Sequence, residues 1–246
     1  MASGYAYVWL LWSIAFLVPW ALVYAMAPAF RPRMLRVSLA TSLLGLTEPI
    51  FVPEYWNPPS LFDLAQRTGF DLESLIFCFA IGGLGAFGYH ALAGRALVPM
   101  PQDERLASRH RFHRLALAAP FAAFPPLYLL PWNPIYAGIA ALVIGGIANV
   151  LCRPDLARNT LLGGALFTGL YAIFMGLLIV AVPGYVEAVW NLAALSGWSV
   201  GAIPVEELAF GFGFGMYWAG IYEHFAWHRE HSVAHRQDGL EERSAS

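Results

Sequence analysis

The sequence contains no lysine, and charged side chains make up only 12% of its 246 residues. An ordinary soluble domain carries roughly a quarter, so a water-soluble globule is excluded. With 14 basic side chains, all arginine, against 16 acidic ones, there is no cationic surface to neutralise phosphates, and nucleic acid is excluded as a partner. Cysteine is nearly absent. Cys78 and Cys152 stand singly in apolar segments expected in opposite halves of a membrane, too far apart for a disulfide. No loop carries an aspartate-rich cluster for magnesium and diphosphate, which disfavours prenyl transfer. The first apolar run lacks the basic stretch of a cleavable leader and is expected to remain as a span.

What the chain has in abundance is hydrophobic residues, at 59%. A span needs about 20 predominantly apolar residues, and that length picks out seven segments: 5–28, 34–53, 72–94, 114–131, 135–152, 158–183 and 203–227. The expected fold is an all-α polytopic membrane bundle. The fourth and fifth segments are joined only through Leu130 to Pro134, which calls for a tight hairpin or a re-entrant pair. Arginine falls in alternate loops. Only Arg67 lies on the face shared by the N-terminus, and the other thirteen lie on the opposite face. The positive-inside rule then puts the N-terminus out and the C-terminus in.

The chain also repeats itself. Aligning Glu73 with Glu206 brings Leu75 onto Leu208 and Phe77 onto Phe210, and Gly-rich apolar stretches follow both, at 82–88 and 211–215. The two segments stand four apart and so run the same way, as a parallel three-helix duplication with the fourth segment as connector requires. Gly83-Leu84-Gly85-Ala86-Phe87-Gly88 matches the G-x-G-x-x-G string, yet no strand precedes it and no acid follows about 20 positions on. Small residues in a membrane helix let neighbouring backbones approach, and packing is the reading for both glycine runs.

Glu48, Glu73, Glu206 and Glu207 fall at the outer ends of the second, third and seventh segments, where an unpaired ionised carboxylate is costly. Burial favours the neutral acid, the form a general acid needs. A first-turn glutamate also suits the helix dipole without further function. Two at matching repeat positions, with Glu207 adjacent and Glu48 at the same depth, favour chemistry.

Pro204-Val205-Glu206-Glu207-Leu208-Ala209-Phe210 resembles the P-x-E-E-x-x-F signature of the membrane-integral lycopene cyclases, found as heterodimers in some bacteria and as fused domains elsewhere. Glu54-Tyr55-Trp56-Asn57-Pro58-Pro59 is similar to the aromatic, proline-containing loop before that signature. The resemblance implies two tandem cyclase-type repeats at 1–98 and 132–228, a loop and connector at 99–131 and a tail at 229–246. The first repeat departs from the signature, with Leu72-Glu73-Ser74 where a second acid belongs.

The resemblance further implies a proton-initiated isomerisation. An acid protonates the terminal alkene of an acyclic polyene end group, the cation closes a six-membered ring, and a base removes a proton. No metal and no other cofactor is expected. Glu206 is the favoured donor, with Glu207 as orienting partner or base and Glu73 and Glu48 in a second polar cluster. Trp56, Asn57, Phe77, Pro204, Phe210, Phe214 and Trp218 are the expected substrate-binding residues. The implied partners are a long polyene drawn from the bilayer, lipid itself, and a second chain in a homo- or hetero-oligomer, in a bacterial inner membrane.

His224, His228, His231 and His235 are spaced four, three and four apart, which puts them on one face if the last helix continues. Glu223 adjoins them, and His90, His110 and His113 lie toward the same side, so a rival reading is an iron-type hydroxylase acting on a lipid or carotenoid. The preferred reading is an amphipathic tail contacting headgroups. A third class is a transporter or a non-catalytic carotenoid-binding protein.

Overall fold

The computed structural model describes residues 4–94 and 96–231. It is mostly helical. In chain order come α1 (Val8–Ala15) and α2 (Leu17–Met26), then α3 (Arg31–Ser42), which runs on as a 3-10 helix over Leu43–Ile50. A short α4 (Leu64–Thr68) leads to α5 (Leu72–Ala93). Strand β1 (Ala96–Pro99) and α6 (Gln102–Arg105) precede α7 (His113–Tyr128) and α8 (Pro134–Cys152). The long α9 (Ala157–Ala181), α10 (Tyr185–Val189), strands β2 (Ser199–Val200) and β3 (Ile203–Pro204), α11 (Val205–Trp218), α12 (Ile221–Ala226) and β4 (His228–His231) complete it.

Among the described residues, four stretches are long and apolar enough to cross a membrane: Val8–Met26, Leu72–Ala93, Pro134–Cys152 and Pro154–Ala181. The other three expected spans are shorter or interrupted. The second passes from α-helix to 3-10 helix at Leu43, the fourth is the 16-residue α7, and the seventh is the 14-residue α11. Outward-facing leucine, isoleucine and valine, such as Leu22, Leu39, Ile173 and Val180, give these helices an apolar exterior, the surface that lipid rather than water would cover.

Local sequence explains the helix ends near the acids. Asp71 caps α5 by accepting from the Ser74 N–H, and Gly94 ends that helix in the left-handed region at φ 59°. Asn133 caps α8, with Pro134 at its first position where no N–H is needed. The link between α7 and α8 is a tight hairpin, since Cys152 at the end of α8 meets His113 at the start of α7.

Small residues set the central crossings, as expected of both glycine runs. A Cβ on Gly215 would come within 2.7 Å of the Gly163 carbonyl oxygen and of Phe167, so α9 and α11 meet there backbone to backbone. On α5, a Cβ on Gly83 would strike Trp20 and Ser38. The run over 83–88 is helical throughout, with no phosphate-binding turn.

The two halves share local geometry. The 3-10 turns Pro28–Phe30 and Pro154–Leu156 bend the chain into α3 and α9, after residues with nearly equal dihedrals at Ala27 and Arg153. Further on, the segments around Trp56 and Trp190 lie antiparallel. The Asn57 N–H donates to the Val189 carbonyl at 2.8 Å, and the Asn191 N–H donates to the Tyr55 carbonyl at 2.9 Å.

Two expectations fail at the C-terminal end. The seventh segment is not one helix: α11 stops at Trp218 and α12 restarts at Ile221. Trp227 then adopts the left-handed conformation, and His228–His231 form a strand paired with Ala96–Pro99. His224, His228 and His231 therefore do not share a helix face, and His235 lies outside the described residues. The tail is held partly by the fully buried Arg153, which donates to the carbonyls of Glu223 and His228. Cys78 and Cys152 are both free thiols, as expected.

Candidate active site

The starts of α5 and α11, the 3-10 end of the second segment and the inner faces of α8 and α9 enclose a cavity of about 310 Å³, within the range of small-molecule sites. Its wall is predominantly aromatic and aliphatic, and two carboxyl groups reach it, Glu48 and Glu207. They come from different halves of the chain.

Glu207 is 2% exposed. Its Oε1 accepts from the Trp190 indole N–H at 2.6 Å and from the Tyr55 hydroxyl, and its Oε2 accepts from the Tyr171 hydroxyl at 2.7 Å. Those three donors arrive from separate places: the loop before α5, the middle of α9 and the segment after α10. Trp190 also donates to the Tyr55 hydroxyl oxygen at 3.2 Å. The carboxyl is thus held in one orientation at the cavity wall.

Glu48 has a sparser setting. It is buried on the 3-10 segment beside the Ser74 hydroxyl and the Trp56 indole, and its Oε1 has no hydrogen-bond partner among the described residues. When Glu73 is laid on Glu206, Ser74 falls at the position of Glu207, and it too lines the cavity. The first half therefore contributes its cavity acid from the preceding segment.

Glu73 and Glu206 are the matched pair, and neither lines the cavity. Each turns back to a loop on its N-terminal side. Glu73, 0% exposed, accepts from the Leu61 backbone N–H at 2.7 Å. Glu206 accepts from the Ser196 backbone N–H at 2.8 Å and from the Tyr136 hydroxyl at 2.7 Å. Neighbouring residues on a helix point about 100° apart, so the cavity receives Glu207 while Glu206 fastens the loop.

Of the expected substrate-binding residues, Trp56, Phe77, Phe210, Phe214 and Trp218 line the cavity. Asn57 and Pro204 do not. Asn57 spends its backbone N–H on Val189, and Pro204 pairs with Ser199 in a short strand ladder. Phe214 stacks on Trp218 with ring centres 4.5 Å apart, and Trp9 meets Trp56 edge-on at 4.7 Å. Phe121 of α7, 56% exposed, also lines the cavity.

Tyr171, Trp190 and Tyr136 escaped the sequence reading, and Tyr55 was named there only as part of the aromatic loop, with no role. A signal for one of them was present: Trp190-Asn191 repeats the Trp56-Asn57 pair. Tyr171 lies in the middle of an apolar helix and carries no such mark.

A helical protein with membrane-spanning helices, in which the two halves of the chain bring buried carboxyl groups to one aromatic-walled cavity, is the class defined by this fold and site. Residues 133–225 match the family model described as lycopene cyclase, so this part of the chain is similar to that family. Comparison with curated proteins and with solved structures gave no match.

Proposed function

We propose that the protein cyclises the acyclic end groups of lycopene or a closely related polyene, as a proton-initiated isomerase. The observation that carries this reading is that Glu48 and Glu207, from opposite halves of the chain, line one apolar cavity with Trp56, Phe77, Phe210 and Phe214.

The chemistry balances with a proton donor and a proton acceptor alone. One proton adds to the terminal alkene, a carbon–carbon bond closes the ring, and one proton leaves the resulting cation. The product is an isomer of the substrate, with no net oxidation. In our reading Glu48 is the donor, because it lines the cavity and its carboxyl is the less hydrogen-bonded of the two, with Oε1 unpartnered among the described residues. Glu207 is the acceptor, since three donors already converge on its oxygens and would steady a carboxylate facing a cation. The aromatic faces stabilise the cation without offering a nucleophile, and the dry wall keeps water from quenching it. This assignment replaces Glu206 as the favoured donor.

We further propose that the seven helical segments are seven spans, N-terminus out and C-terminus in, built from two parallel repeats at 1–98 and 132–228. The arginine asymmetry supports the orientation. The paired 3-10 turns and the reciprocal Asn57 and Asn191 hydrogen bonds support the repeat. A cavity this size takes one end group, and the rest of the polyene would trail into the lipid.

The test is incubation of membranes containing the protein with preformed, unlabelled lycopene in heavy water, followed by pigment chromatography and mass spectrometry. Cyclic products with one deuterium per new ring are expected. Unchanged lycopene beside normal levels of the protein in the membrane would overturn the reading.

A further inference from the structure

A second constellation lies at the other end of the bundle and plays no part in the proposed cyclisation. Tyr136, which holds Glu206, sits in the first turn of α8, and Cys152 ends that helix. Nineteen residues of helix separate the two ends by about 28 Å. Beside Cys152 stand His110, in the 3-10 turn over Ser108–Phe112, and His113, the first residue of α7. All three side chains are buried. We propose that His110, His113 and Cys152 form a binding site for a zinc-class divalent cation, which fastens the connector hairpin to the second half of the chain.

Distance carries the proposal. With metal–sulfur and metal–nitrogen bonds near 2.3 and 2.0–2.1 Å, tetrahedral ligation puts a thiolate sulfur and an imidazole nitrogen about 3.6 Å apart. The Cys152 Sγ lies 3.5 Å from Nδ1 of His110 and 3.9 Å from Nδ1 of His113. One ligand atom from each residue falls within 4.8 Å of the others, so small side-chain shifts close the set. A thiolate with two imidazoles is a donor set suited to zinc and to cobalt as its spectroscopic substitute.

His224 supplies an independent observation. Its ring centre is 4.3 Å from that of His113. Its Nδ1 is held by the Asn149 side-chain oxygen at 2.8 Å, the outer bond that commonly orients a ligating histidine. Its Nε2 is buried with no partner among the described residues. Trp227 stacks on His113 at 3.8 Å and closes one face.

Three cations stand nearby, Arg153, Arg109 and Arg114, the last next to His113 in sequence. Arg153 is committed to Asp155 through two bonds, at 2.8 and 2.6 Å. Arg109 donates to Nε2 of His110 at 3.2 Å from an exposed position, and it would release that nitrogen when Nδ1 binds the cation. Loading expels the Cys152 proton, so binding strengthens as pH rises.

The test uses the full chain purified in detergent. After incubation with cobalt(II) and desalting, the protein should retain about one equivalent and show a thiolate-to-cobalt charge-transfer band in the near ultraviolet. Cys152→Ser should lose the band, and His113→Ala should weaken retention by about tenfold or more, since outer-shell changes alone cost that much. Zinc should displace the cobalt and raise the thermal unfolding temperature of the wild type. A wild-type protein without the band, or a Cys152→Ser protein that keeps it, would overturn the proposal. The wild-type band is a readout in its own right, so a variant that fails to fold does not remove the test.

Discussion

The indole N–H of Trp190 lies 2.6 Å from Oε1 of Glu207, which joins the segment after α10 to the first turn of α11 across the wall of the cavity. The same carboxyl takes the Tyr171 hydroxyl on its other oxygen. A carboxyl clamped from both sides loses little orientational freedom when substrate arrives, which is how a fixed acceptor contributes to rate. Tyr171→Phe removes one of these donors and keeps the ring. Cyclisation should slow by about tenfold or more, the scale of one hydrogen bond to a charged group, while the amount of protein in the membrane stays near normal. Initial rates of ring formation in isolated membranes, set against immunoblot levels, provide the measurement.

The central crossing makes a stability prediction. Because a Cβ on Gly215 would meet the Gly163 backbone oxygen at 2.7 Å, Gly215→Ala should force α9 and α11 apart. Overpacking of this kind costs about 1–3 kcal/mol. Gly169, where an added Cβ has open space, is the control, and Gly169→Ala should be tolerated. Unfolding of both variants in mixed micelles with increasing denaturing detergent tests the contrast, and equal midpoints would remove the argument for a backbone-level contact.

Orientation can be read with reporters. A fusion after Arg243 should be active in the cytoplasm, and an insertion near Pro58 should be active outside, because the proposed seven spans would gather thirteen of the fourteen arginines on one face. The reversed pattern would put the cavity acids on the cytoplasmic side.

How much of this was legible in the sequence varies from residue to residue. Apolar length located the helical segments to within a few residues, and the first-turn positions of Glu73 and Glu206 are as expected. Which acid faces the cavity was not readable. These helices are apolar nearly all round, because lipid and protein interior offer similar surroundings, so periodicity does not mark an inner face. The orientation of Glu207 depends on Tyr55, Tyr171 and Trp190, which are remote in sequence. The histidine spacing misled for a different reason. Its four-three-four pattern presumes a continuous helix, but Trp227 turns left-handed and the following residues pair with β1, held from beneath by Arg153.

The final prediction separates the cavity acids from the loop-holding ones. Glu to Gln keeps size and most hydrogen bonding but removes the transferable proton and the negative charge. Glu48→Gln and Glu207→Gln should each cost about a hundredfold or more in the rate of ring formation, the usual scale for a positioned acid or base. They should differ in what remains. Without Glu48 the polyene should stay uncyclised. Without Glu207 the cation still forms but loses its proton less selectively, so the residual product should show a changed position of the ring double bond. Glu206→Gln and Glu73→Gln retain a carbonyl oxygen to accept from the Ser196 and Leu61 backbone N–H groups, and their rates should stay within a few-fold of wild type. Pigment profiles of the four variants at matched protein levels decide the matter. Full loss in Glu206→Gln with wild-type turnover in Glu207→Gln would return the chemistry to the residue that matches Glu73 and remove the cavity from the mechanism.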